Sequence, residues 1–101
     1  MSKNKSISPF KPAAHKHQEC LHSAMKAAKK HCESAGLRLT PIRQRVLELV
    51  WQSHEPVKAY DILDELKRSK SSSAPPTVYR ALDFLLEEGL VHKIESLNAY
   101  V

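Results

Sequence analysis

Glycine and cysteine are both scarce in this chain of 101 residues, with two of each. Two glycines cannot furnish the glycine-rich loop that cradles a nucleotide's phosphates, so a P-loop is excluded. The cysteines, Cys20 and Cys32, lack CxxC spacing. That sets aside a zinc knuckle and leaves two free thiols in a reducing compartment. Long hydrophobic runs are missing as well. No apolar stretch approaches the roughly 18 residues that a membrane span needs, and the N-terminus has no apolar signal-peptide segment. The expectation is a cytoplasmic protein without membrane association. No nucleophile is paired with a base in the way covalent catalysis requires, so no enzyme is read here.

Acidic residues run short in the first half. Residues 1–58 hold 11 Lys/Arg against 4 Asp/Glu, whereas residues 59–101 hold 5 against 7, and the whole chain carries a formal +5. Such a balance favours polyanionic partners, either nucleic acid or an acidic surface. The binding groups should come from the first half plus a few placed residues in the second. Apolar residues make up 42% of the chain, enough for one modest core in a single small domain.

What is present is helical periodicity with clear punctuation. Residues 1–14 carry Lys, Ser and two prolines without a period, the composition of a disordered basic tail. From residue 15 the pattern reads as one domain to residue 101. Leu21, Met25, Ala28 and Cys32 recur at helical spacing, and Gly36 stops that helix. Thr40 is placed to cap a second helix with Pro41 at its first position, and Ile42, Val46, Leu49 and Val50 form its apolar stripe. A third helix spans 59–69 and should bury Ala59, Ile62, Leu63 and Leu66. Asp64 and Lys67 lie on its exposed side, at a spacing that suits a surface ion pair.

The last helix opens on two adjacent prolines. Pro76 is expected at its first position with Pro75 holding the incoming chain extended, and the helix should run to Glu88 before Gly89. The N–H groups of Thr77 and Val78 would then be left for an outside acceptor such as a DNA phosphate. At about 100° per residue, Val78, Leu82, Leu85 and Leu86 gather on one side and Arg80 points the other way. An arginine there can donate two bonds to O6 and N7 of guanine, and the hydroxyls of Tyr79 and Thr77 stand on the flanks. The competing reading is a solvated arginine on an ordinary helix. Residues 91–95 and 99–101 alternate as strands around Ser96-Leu97-Asn98. Four helices followed by a hairpin give a mainly α fold with a small β-hairpin, the winged helix-turn-helix layout. Trp51 and Phe84 are read as packing residues.

The segments TPIRQRVLELV, AYDIL and PPTVYRALDFLLEEGLVHKIE resemble the N-terminal DNA-binding domain of the ferric uptake regulator family, in a form similar to its zinc uptake regulator branch. The resemblance implies a bacterial metal-responsive repressor that controls metal uptake genes and binds palindromic operators on double-stranded DNA as a homodimer. It implies DNA contacts by Arg80 and by Tyr60 of the AYD segment, with Arg38 near the minor groove and Arg43 near the backbone. It also places His92 where that branch has a zinc ligand, completed by a C-terminal dimerisation and metal domain that would begin near Val101. Residues 15–101 alone would be a monomeric fragment that binds one half-site weakly. Zinc would act in the full-length protein, with none expected in the fragment. His15, His17, Cys20 and His22 are zinc-friendly groups, but helical spacing does not gather them, and a solvated helix start is the default. Two rivals stay open: a winged-helix protein-interaction module, and a family member that senses iron, manganese or peroxide.

Overall fold

A computed structural model describes residues 15–69 and 74–101. The expected tail at residues 1–14 lies outside the described residues, as do the side chains of residues 15–18 and residues 70–73. Four helices come first: α1 (His15–Ser34), α2 (Pro41–Gln52), α3 (Ala59–Arg68) and α4 (Pro75–Glu87). Two short strands follow, β1 (Lys93–Ile94) and β2 (Ala99–Tyr100).

The first helix buries Met25, Ala28 and Cys32 and half-buries Leu21, as its spacing requires. It ends where Gly36 takes φ +74°, a conformation that glycine adopts without a Cβ penalty. The Gly36 N–H then donates to the Glu33 carbonyl and the Leu37 N–H to the Cys32 carbonyl, a Schellman closure. Thr40 Oγ1 accepts the Arg43 N–H at 3.4 Å, and Pro41 occupies the first position of α2.

The burial of α2 departs from a single stripe. Val46, Leu47, Leu49 and Val50 are all buried, whereas Ile42 is only half-buried. The reason is that α2 lies against both α1 and α4 and must present apolar groups in more than one direction. Helix α3 buries Ile62 and Leu66, while Ala59 and Leu63 are only half-buried. Its first turn is fastened by Asp61 Oδ2, which accepts the Lys58 N–H at 3.3 Å. On its surface Asp64 pairs with Arg68 at 2.6 Å rather than with the expected Lys67.

Helix α4 buries Val78, Ala81, Leu82 and Leu85. Deleting one of these leucines would cost about 2–5 kcal/mol, because the neighbours only partly fill the space. Gly89 at φ +72° repeats the closure seen at Gly36, with the Leu90 N–H on the Leu85 carbonyl at 2.9 Å. The Trp51 indole N–H donates to the Leu90 carbonyl at 3.0 Å and so ties the end of α2 to the chain leaving α4.

The hairpin pairs Lys93 with Tyr100 and Ile94 with Ala99, antiparallel. His92 and Val101 exchange two further backbone bonds at 2.7 and 2.8 Å. At the turn Asn98 sits at φ +52°, a left-handed position that Asn tolerates better than most residues. The connection before α3 also joins the sheet. Val57 and Tyr100 exchange two bonds of 2.7 Å, so a third short rung flanks β2. The layout is mainly helical with a small antiparallel sheet, as the element order implied.

Candidate nucleic-acid interface

Helices α3 and α4 and the loop before α2 carry residues singled out in the sequence. Tyr60, the second residue of α3, is 75% exposed, which is far more than an aromatic ring with a packing role retains. Arg80 is exposed on α4, opposite the leucines that hold the helix down. Among the described residues it has no acid partner, whereas Arg45 and Arg68 are closed onto Glu48 and Asp64 at 2.6 Å. A guanidinium held outward and left unpaired keeps all five donors for a ligand. Tyr79 is 47% exposed and Thr77 is exposed beside it.

The start of α4 differs from expectation. Ala74 is the N-cap at φ −65°, ψ 147°, and Pro75 and Pro76 fill the first two helical positions. The register moves one residue earlier than expected, with the Ala74 carbonyl rather than the Pro75 carbonyl taking the first helical amides. Both prolines lack an N–H, and the Thr77 and Val78 N–H groups donate to the Ala74 carbonyl at 2.9 and 3.3 Å. These amides are therefore not free for a phosphate. Any anion at this helix end has to be met by side chains, chiefly Thr77 and Arg80.

Arg38 is exposed, and its side chain has no partner among the described residues. Its carbonyl, however, accepts Arg43 Nη1 at 2.8 Å. The Arg43 guanidinium also lies 3.8 Å over the Phe84 ring of α4. Sequence reasoning placed Arg43 at a DNA backbone and Phe84 in packing, and it missed that the two touch. No local pattern announces such a contact, because the partners lie on different helices.

His92 is exposed and bound to Val101 only through its backbone. Among the described residues no three His, Cys, Asp or Glu side chains gather into a group that could hold a metal. A zinc ion takes about four ligands in a tetrahedron, and one imidazole does not supply them. The residues present therefore do not form a zinc site by themselves.

His31 Nε2 lies 3.7 Å from Glu88 Oε1. The neighbouring Cys32 is buried, and desolvation pushes its thiol pKa up. Glu88 and Glu33 add to this, and Arg43 opposes it. The thiol is a packing group rather than a nucleophile. No helix is long and apolar enough to cross a membrane among the described residues.

Residues 34–99 match the ferric uptake regulator family. The zinc uptake regulation proteins of Escherichia coli (strain K12) and Shigella flexneri are each 53% identical over 74 residues, which is 73% of this chain and 43% of theirs. The chain thus spans less than half the length of these curated relatives. Among solved structures, holo XcZur aligns with TM-score 0.72 at 53% identity, over 78% of this chain and 54% of that one. A zinc uptake regulator complexed with zinc and DNA aligns with TM-score 0.72 at 48% identity, over 87% of this chain and 56% of that one.

Proposed function

From the premise that this chain belongs to the ferric uptake regulator family, we propose that residues 15–101 are the operator-binding domain of a zinc-responsive repressor. Its work is regulation rather than catalysis, and its place is the cytoplasm, where its DNA lies. Helix α4 enters the major groove with Arg80 toward the bases. Its planar fork matches the two acceptors of guanine, and Tyr60 adds a second contact from α3. Thr77, Tyr79 and Arg38 meet phosphates, and the lysines of the first half supply most of the affinity by releasing counterions.

The observation that carries this reading is the exposed guanidinium of Arg80, without a partner among the described residues, on a helix anchored from behind by Val78, Leu82 and Leu85. The relative solved with zinc and DNA supports the same assignment. A palindromic operator would be met by two copies of the chain, with a single copy binding one half-site weakly because the second contact adds effective concentration. His92 is the donor assigned here toward the zinc named in its relatives, and because no group of three or more His, Cys, Asp or Glu gathers among the described residues, it would need ligands beyond that set.

A salt titration tests the proposal. Binding to duplex DNA should be measurable at about 50 mM salt and should fall steeply, with a log–log slope of about −0.9 for each phosphate neutralised. A chain with no duplex affinity at that salt would instead be an interaction module that uses the same exposed face for a protein.

A further inference from the structure

We infer that Arg43 is a positioning residue for the DNA-binding surface, acting through Arg38 and Phe84 rather than through a phosphate of its own. The inference rests on the DNA-binding reading above and adds to it a specific device. Three fastenings meet at this residue. Its backbone N–H is capped by Thr40 Oγ1, its Nη1 donates to the Arg38 carbonyl at 2.8 Å, and its Cζ lies over the Phe84 ring, 3.8 Å from the centroid.

The segment 37–40 belongs to neither α1 nor α2. At its upstream end the Leu37 N–H is held by the Cys32 carbonyl at 2.7 Å. At its downstream end Thr40 caps α2. Arg38 lies between these anchors, and Arg43 pins it by its own carbonyl, leaving the Arg38 side chain exposed. A backbone already fixed before binding gives up less conformational freedom when its side chain finds a phosphate. Phe84 extends the clamp to α4, one turn beyond Arg80, so the segment that aims Arg38 and the helix that aims Arg80 share one fastening.

Chemistry separates this role from a direct contact. A guanidinium can stack on a ring while its fork donates in plane, and a lysine ammonium cannot do both. Lysine can hold a phosphate as a point charge but not through a bidentate fork, so the double variant, and not Arg43→Lys alone, separates the two roles. The test uses the whole chain and a mixed-sequence DNA duplex of about 20 base pairs, titrated between about 50 and 200 mM salt. Arg38→Ala should weaken binding roughly five- to tenfold at about 0.1 M salt and reduce the slope by about 0.9. Arg43→Lys should lose a comparable amount although the charge is kept. The Arg38→Ala/Arg43→Lys pair should lose no more than Arg38→Ala alone. Phe84→Leu keeps the hydrogen bond and apolar bulk, and should show part of the same loss only when Arg43 is present.

Melting temperature and far-ultraviolet circular dichroism of each variant identify a fold defect, and Phe84→Leu carries the test if Arg43→Lys melts below the assay temperature. Wild-type affinity and slope in Arg43→Lys, or additive losses in the double variant, overturn the positioning role while the DNA reading stands. A wild-type chain that ignores the duplex overturns both.

Discussion

The guanidinium of Arg43, in the first turn of α2, lies 3.8 Å above the ring of Phe84 in α4. Two helices far apart in sequence are thereby joined at their outer edge as well as through the leucine core. A contact of this kind is worth about 0.5–1 kcal/mol at a partly exposed site. A double-mutant cycle of Arg43→Gln and Phe84→Leu, read by urea unfolding, should return a coupling of that size. A coupling of zero would reduce the ring to apolar filler.

Arg80→Ala should lower binding to a cognate operator by about 1–3 kcal/mol and leave binding to random duplex nearly unchanged. The two affinities, measured at one salt concentration, decide the matter. Equal losses on both would make Arg80 a phosphate contact. Replacing an exposed lysine such as Lys26 should behave in that second way if it neutralises phosphate, weakening both duplexes alike.

Gly89→Ala should destabilise the fold by about 1–2 kcal/mol, the cost of a Cβ in the left-handed region. Nothing lies within 4 Å of the position a Cβ would take, so the cost is conformational and not a clash. Gly89→Asn should cost less, since Asn visits this region more readily. Chemical denaturation of the two variants gives the comparison.

Cys32 sets an alkaline limit. Burial, then Glu88 and Glu33, hold its pKa above the ordinary value of 9.0 while Arg43 pulls the other way. The folded state therefore binds the thiol proton more tightly than the unfolded state. That contribution is complete below pH 9.0 and is lost as pH rises through the folded value. Unfolding free energy measured from pH 8 upward should fall more steeply in the wild type than in Cys32→Ala. At neutral pH a maleimide should label the exposed Cys20 and spare Cys32 until denaturant is added.

Much of this layout was readable from residue order alone, because the signals are local. Thr40-Pro41, Gly36 and Gly89 act within a few positions of themselves, and each stands where its chemistry required. The features that escaped depend on partners distant in sequence. Val57 pairs with Tyr100, and a one-residue rung has no period to detect. Leu47 is buried because α2 has neighbours on more than one side, which a single helical stripe does not reveal. At the start of α4 either proline suits the first turn, and the choice was made by the Ala74 carbonyl gathering two amides. On α3 both three- and four-residue spacings permit an ion pair with Asp64, and the longer reach to Arg68 prevailed. The exposed Tyr60 and Arg80 were legible as candidates, but the clamp at Arg43 spans two helices and was not.

The rung between Val57 and Tyr100 makes the hairpin and the start of α3 a single mechanical piece. Tyr100 bonds to Val57 on one side and pairs with Lys93 on the other, while the next residue, Val101, is bound to His92. Lys58 follows Val57 as the N-cap of α3, and Tyr60 stands in the first turn after it. A pull on His92 is thus relayed across backbone bonds to the footing of Tyr60, so the tilt of the hairpin and the aim of that phenol cannot be adjusted independently.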